Sequence, residues 1–268
     1  MTIRETSWPS GTPCWVDLAV PDVPAAMMFY RVVLGWSFVD TGPEFNHYTV
    51  CRTFRRAAAA IGPGAATDQP AAWTIYLASD DADATAKLIV ENGGSLMVEP
   101  TDIGDNGRMC VAIDASGGVF GVWEAIETIG LEITDEPGSL VWTDARLTDP
   151  AAGKDFYAAV FGYRYQPVAG APADYGTFVV DGRVAGGMGG MLGTFGVPAH
   201  WLAYFSVDDV DATVADALTV GGTVVGDPQD TPFGRTALLV DPFGATFGLH
   251  GPLLPADGPD ARPTGLRG

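Results

Sequence analysis

One diagonal of self-similarity, offset by 127 to 128 residues, runs through nearly the whole chain. Trp15, Asp17 and Asp22 return as Trp142, Asp144 and Asp149, and Phe29-Tyr30 returns as Phe156-Tyr157. Tyr48 pairs with Tyr175, Arg56 with Arg183, Trp73 with Trp201, and Asp80-Asp81 with Asp208-Asp209. Further on, Gly107-Arg108 matches Gly234-Arg235 and Phe120-Gly121 matches Phe247-Gly248. A repeat this long with almost no gaps means two copies of one domain, each of about 115 residues and able to bury its own core. The first unit is placed at residues 10–126, a linker at 127–138 and the second unit at 139–251. The Pro/Gly-rich tail, 252–268, has little to bury and is expected to be mobile.

Within a unit the apolar period changes from two to three or four and back. Val16, Leu18 and Val20 alternate with Trp15, Asp17 and Ala19, as in a half-buried strand. Asp22 then serves as a helix N-cap, with Pro24 in the first turn and Gly35 at the end. The second half opens on a strand at 73–79, continues in a helix capped by Asp81, and closes in strands up to residue 124. Each unit therefore reads as βαβββ twice. The run 186–196 is rich in glycine, but neither a helix nor Gly-Lys-Ser/Thr follows it. It reads as a strand edge and a flexible interdomain segment rather than a phosphate loop.

Hydrophobic content of 47% with 18% charged residues describes a globular chain, and no apolar run is long enough to span a membrane. Cys14, Cys51 and Cys110 have neither metal nor disulfide spacing, which suits a reduced compartment and points to the cytoplasm. A net charge of −19 argues against nucleic acid. The same charge disfavours anionic ligands unless an arginine answers them.

The strand, the Asp cap, Phe29-Tyr30, Leu34-Gly35-Trp36, the Asp80-Asp81 helix and the Asp-Pro-x-Gly turn at 241–244 together resemble the vicinal oxygen chelate superfamily. This group includes glyoxalase I, extradiol dioxygenases and bleomycin-resistance proteins. Residues 11–18 (Gly-Thr-Pro-Cys-Trp-Val-Asp-Leu) and 119–124 (Val-Phe-Gly-Val-Trp-Glu) resemble more narrowly its tandem-domain actinobacterial branch, often labelled "hydroxylase". The resemblance implies an α+β fold of two tandem glyoxalase-like domains. In each, a pair of βαβββ modules would form a curved, mostly antiparallel sheet around a concave cup. Four modules in one chain make a monomer sufficient, and a homodimer is compatible.

Enzymes of the superfamily hold a divalent metal in the cup. The positions implied for its ligands are filled here by Trp15, Thr74 and Gly121 in the first unit and by Trp142, Leu202 and Gly248 in the second. None supplies the imidazole, carboxylate or thiolate a metal needs. No metal and no cofactor are therefore expected.

Strand parity assigns Trp15, Asp17, Tyr76, Arg108 and Trp123 to the first cup. It assigns Trp142, Asp144, Tyr204, Arg235 and His250 to the second. Trp73 and Trp201 fall on the helix-packing face. Large rings with glycine beneath suggest an aromatic slot with room against its floor, in which a few polar groups fix a ligand's orientation. The function read from these residues is metal-independent binding of a small apolar or aromatic metabolite, such as an antibiotic. The competing reading is a superfamily enzyme, a lyase, isomerase or oxygenase. It would use Asp144 and His250 as an acid–base pair or hold a metal in a shifted register.

Overall fold

The computed structural model describes residues 2–64, 70–191 and 197–253. Most of the tail, from 254 on, and residues 192–196 of the glycine-rich run lie outside them. The preceding part of that run belongs to a strand with a buried end.

A short strand β1 (Thr2–Ile3) precedes the first unit. That unit holds β2 (Pro13–Val20), β3 (Ser37–Asp40), β4 (Thr49–Thr53), β5 (Arg56–Pro63), β6 (Trp73–Ser79), β7 (Ser95–Asp102), β8 (Gly107–Ile113) and β9 (Val119–Ala125). They lie side by side in the order β3-β4-β5-β2-β6-β9-β8-β7. Helix α1 (Val23–Leu34) follows β2, and α2 (Ala82–Glu91) follows β6. β10 (Ile133–Thr134) pairs with β1 and leads parallel into β11 (Leu140–Arg146).

The second unit continues with α3 (Pro150–Phe161), β12 (Arg164–Pro167), β13 (Gly176–Val180), β14 (Arg183–Gly189), β15 (His200–Ser206) and α4 (Val210–Thr219). It ends with β16 (Thr223–Val224), β17 (Gln229–Thr231), β18 (Gly234–Val240) and β19 (Thr246–Gly251). The order β12-β13-β14-β11-β15-β19-β18-β16 repeats the first sheet. Within these two eight-strand orders neighbours are antiparallel except where a module returns beside its first strand, as in β2 with β5 and β6 with β9.

The helix starts follow from their caps. Asp22 accepts from the Ala25 amide and Asp149 from those of Ala151 and Ala152, while Gly35 and Gly162 end α1 and α3 in the left-handed conformation. The apolar faces so presented meet between the units. Phe29 and Tyr30 of α1 lie edge-on or tilted against Phe247 of β19, and Phe156 and Tyr157 of α3 do the same against Phe120 of β9. Trp73 and Trp201 are buried in this layer. The helix-bearing faces thus share one aromatic core, which leaves each concave face on the outside. Among the described residues no helix is long and apolar enough to cross a membrane, and all three cysteines are free and buried.

Candidate functional site

The first unit's concave face encloses a cavity of about 720 Å³, within the roughly 300–1,000 Å³ usual for small-molecule pockets. Its floor comes from neighbouring strands at one level of the sheet: β2 supplies Trp15 and Asp17, and β6 supplies Tyr76. Trp123 of β9 and Met109 of β8, which pair across the ladder, form one wall. Tyr48, Val50 and Arg52, at alternate positions entering and following β4, form the other. The segment 127–132 and Arg4 and Glu5 of the N-terminal stretch border it as well.

A chain of hydrogen bonds runs along the floor. The Trp15 indole Nε1 donates to the Tyr48 hydroxyl at 2.8 Å, and Tyr48 donates to Asp17 Oδ2 at 2.9 Å. Tyr76 donates to the same oxygen at 3.2 Å. Burial pushes the Asp17 carboxyl up to about 6, against the opposing pull of the hydroxyls of Tyr48, Tyr76 and Thr74. Both phenols are held well above their ordinary value, first by burial and then by the neighbouring carboxylate. Asp17 can therefore exchange a proton near neutral pH in a mainly apolar cavity.

On the wall, the Arg52 Nε is buried with no hydrogen-bond partner. Burying such a donor without a partner costs about 1–3 kcal/mol.

The second unit keeps the frame but fills it differently. Trp142 Nε1 donates to Asp144 Oδ1 at 3.0 Å, and Tyr175 donates to the same oxygen at 2.8 Å. Arg146, two residues on along β11, places Nη2 2.6 Å from Asp144 Oδ2. The guanidinium also packs over the Tyr175 ring. Burial works against its charge, but the Asp144 carboxylate beside it leaves its pKa raised. With Asp144 4% exposed, the floor of this cup carries a buried ion pair. Ala19 occupies the corresponding place in the first unit, so Asp17 has no such cation.

Trp15, Asp17, Tyr76 and Trp123 all border the cavity, and Trp142, Asp144 and the Arg146-bonded Tyr204 gather in the second cup. Arg108 and Arg235 do not line the cups. Arg108 lies opposite Glu124, whose carboxylate accepts from the Ala82 amide at the start of α2, and it forks onto Asp83 and Asp102. Arg235 does the same with Asp211 and Asp230. The strand therefore presents Met109, not Arg108, to the cup, one residue out of phase with the face expected from the sequence.

His250 and Asp144 are not brought together. Asp144 is opposite Leu202 on β15, whereas His250 is opposite Ser206, with its Nε2 3.1 Å from the Phe233 carbonyl. The expected room above the glycines is also taken. A Cβ on Gly121 would sit 2.1 Å from the Tyr76 ring, and one on Gly248 would sit 2.0 Å from Tyr204. Tyr48, Arg52, Tyr175 and Arg146 were missed as site residues. The pairing of Tyr48 with Tyr175 across the repeat was the available signal for the tyrosines.

The same geometry tests the metal that the resemblance implies. Where the ligands would stand, an indole is already bonded to Tyr48, Thr74 lies beside Asp17, and a tyrosine ring covers Gly121. An indole N–H only donates, and Leu202 offers nothing at all. Among the described residues no three His, Cys, Asp or Glu side chains converge as a metal would need. The residues do not fit a divalent ion.

The model of the glyoxalase/bleomycin resistance protein/dioxygenase superfamily matches residues 14–122, and that of a glyoxalase-like domain matches 141–250. The chain belongs to this superfamily, as a tandem of two such domains. It is 38% identical over 270 residues to the anthracycline biosynthesis protein DauV of Streptomyces sp. strain C5, covering 91% of this chain and 94% of that one. It is 37% identical over 257 residues to CFP32 of Mycobacterium tuberculosis, whose name makes it provisionally a glyoxylase, covering 93% of this chain and 98% of that one. Among solved structures, the Mn(II)-bound glyoxalase from Novosphingobium aromaticivorans superposes with a TM-score of 0.63 at 15% identity, over 92% of this chain and 83% of its own. That likeness speaks for the fold alone.

Proposed function

We propose that the protein binds a small planar aromatic molecule in the first cup, without a metal. The observation that carries this reading is the cavity of about 720 Å³ floored by Trp15, Tyr76 and Asp17, with Trp15 at one of the positions where superfamily enzymes would place a metal ligand. Aromatic walls favour flat guests because ring faces stack with little conformational loss, and a few fixed polar groups then orient them. The likeness to DauV, a protein named for anthracycline biosynthesis, supports the same direction. The second cup, whose carboxylate is already paired with Arg146, serves in this reading as a structural copy.

A second reading has one observation in its favour. A carboxylate poised near neutrality in a cavity can act as a general base, so Asp17 would carry any proton transfer to or from the guest.

The test of binding is a titration of intrinsic tryptophan fluorescence with a panel of anthraquinones and other fused-ring aromatics, before and after exhaustive treatment with a chelator. Saturable quenching that survives chelation and weakens in Trp15→Leu is the expected result. No quenching by any member, or binding that disappears with the chelator, ends the proposal.

A further inference from the structure

Three of the chain's 14 Lys and Arg residues, Arg4, Arg52 and Arg56, line the first cavity of a protein with net charge −19. They are not equivalent. Arg4 is spent on the backbone carbonyls of Thr6 and Ser7, and Arg56 leans towards Glu5 at 3.7 Å. The Arg52 Nε is buried and has no hydrogen-bond partner among the described residues. Buried polar side-chain atoms without a partner occur at Arg52, Thr143 and Arg146 among the described residues, and of these only Arg52 borders the cavity.

Arg52 and Asp17 stand at different ends of the space. Asp17 pairs with Ala60 of β5, Ala60 pairs with Val50 of β4, and Arg52 is two residues further along that strand. Two strand spacings across and two residues along put their α-carbons roughly 12 Å apart. Trp15 and Tyr48 flank the floor between them, and Trp123 and Met109 make the facing wall. The second unit abolishes this arrangement at both ends. Val179 replaces Arg52 in the repeat, and the cation moves to Arg146, against the carboxylate itself.

We propose, resting on the binding reading above, that the first cup reads its guest at two ends. Arg52 takes an anionic oxygen at the wall and Asp17 takes a hydroxyl donor at the floor, which makes hydroxylated aromatic acids the ligand class. A guanidinium that meets a carboxylate gains a charge-assisted hydrogen bond and answers its own buried N–H. The ionised Asp17 accepts more strongly from a phenol than a neutral oxygen would. The overall negative charge of the chain then excludes acids that cannot reach Arg52.

Three matched probes separate the two ends: 6-hydroxy-2-naphthoate, 2-naphthoate without the hydroxyl, and 2-naphthol without the carboxylate. Isothermal titration calorimetry on the full chain at neutral pH is expected to show the first binding about tenfold tighter than either truncated probe. Arg52→Met erases its advantage over 2-naphthol and leaves its advantage over 2-naphthoate. Asp17→Asn keeps an oxygen for Tyr48 and Tyr76, and it shrinks the hydroxyl advantage at least threefold while sparing the carboxylate advantage. Equal affinity of the wild-type protein for all three probes, or a uniform loss in both variants, overturns two-ended recognition and leaves the planar cavity standing. If none of the three binds while larger neutral rings still quench tryptophan, the two-ended proposal alone fails. If those rings do not quench either, both proposals fail.

Discussion

Asp17 and Asp144 occupy the same place in the two copies and meet opposite surroundings. Arg146 pairs with Asp144, whereas Asp17 is enclosed by hydroxyls and an indole-linked phenol with Ala19 where the cation would be. Enclosure without a cation raises the Asp17 pKa from 3.8 to about 6. In the folded protein the carboxyl therefore holds its proton more tightly than in the unfolded chain. Its stabilising contribution is complete below the unfolded value and is lost as pH rises through about 6. A shift of about two units corresponds to an effect on the order of 2–3 kcal/mol. Urea denaturation of the wild-type protein should show stability falling between about pH 4 and 6.5, and Asp17→Asn should flatten that interval. An unchanged slope in the variant would remove the basis for treating Asp17 as a strained functional group. A residue that costs stability at the pH where it is charged is more simply explained by a task than by packing.

At the level of strands, the site depends on how closely β9 and β6 approach. Gly121 is paired with Tyr76, and its missing side chain lets the tyrosine ring lie across the strand and reach Asp17. Gly121→Ala would force that ring away. The expected result is a loss of about 1–3 kcal/mol from overpacking, with quenching by aromatic ligands weakened more than stability alone explains. Ligand affinity at the wild-type level in a folded Gly121→Ala protein would show that Tyr76 is not part of the floor. Much of this was legible in the chain. The duplicated Trp15-x-Asp17 alternation placed two floor residues directly, because Val16, Leu18 and Val20 form an apolar face opposite Asp17 and Ala19. Parity failed for β8, where Arg108, Met109, Cys110 and Val111 give no clean alternation and only the partner strand shows which side faces the helices. The edge strands β3 and β12 are mostly exposed, and so they carry little apolar signal to mark them. Arg146 and Arg52 were invisible for another reason: each breaks the repeat, and similarity between copies points only to what they share.

The two units are joined through their helical faces by a polar network repeated in mirror roles. In the first, Trp73 donates to the Tyr30 hydroxyl at 3.1 Å, and Tyr30 donates to Asp241 of the second unit at 2.9 Å. In the other, Trp201 donates to Tyr157 at 2.8 Å, and Tyr157 donates to Asp114 of the first unit at 2.9 Å. Each acceptor is the aspartate of its unit's closing turn, so the carboxylate that organises one turn also fixes the neighbouring unit's first helix. Asp241 takes the Phe243 and Ala245 amides, and Asp114 takes those of Ser116 and Gly118. Asp241 is 4% exposed, and burial raises its pKa, so loss of the Tyr30 donor leaves a buried acceptor short of a partner. Tyr30→Phe should cost about 1.5–3 kcal/mol, the usual loss for a hydrogen bond to a charged group. Because the aromatic layer belongs to both units, that loss should move one common transition rather than release the first unit alone. Thermal unfolding followed by tryptophan fluorescence and by far-ultraviolet circular dichroism should therefore shift by the same amount in the variant. Two separated transitions would mean that each unit is stable without the other. In that case the cavity in the first unit would not depend on the second unit, and the second unit would need a function of its own.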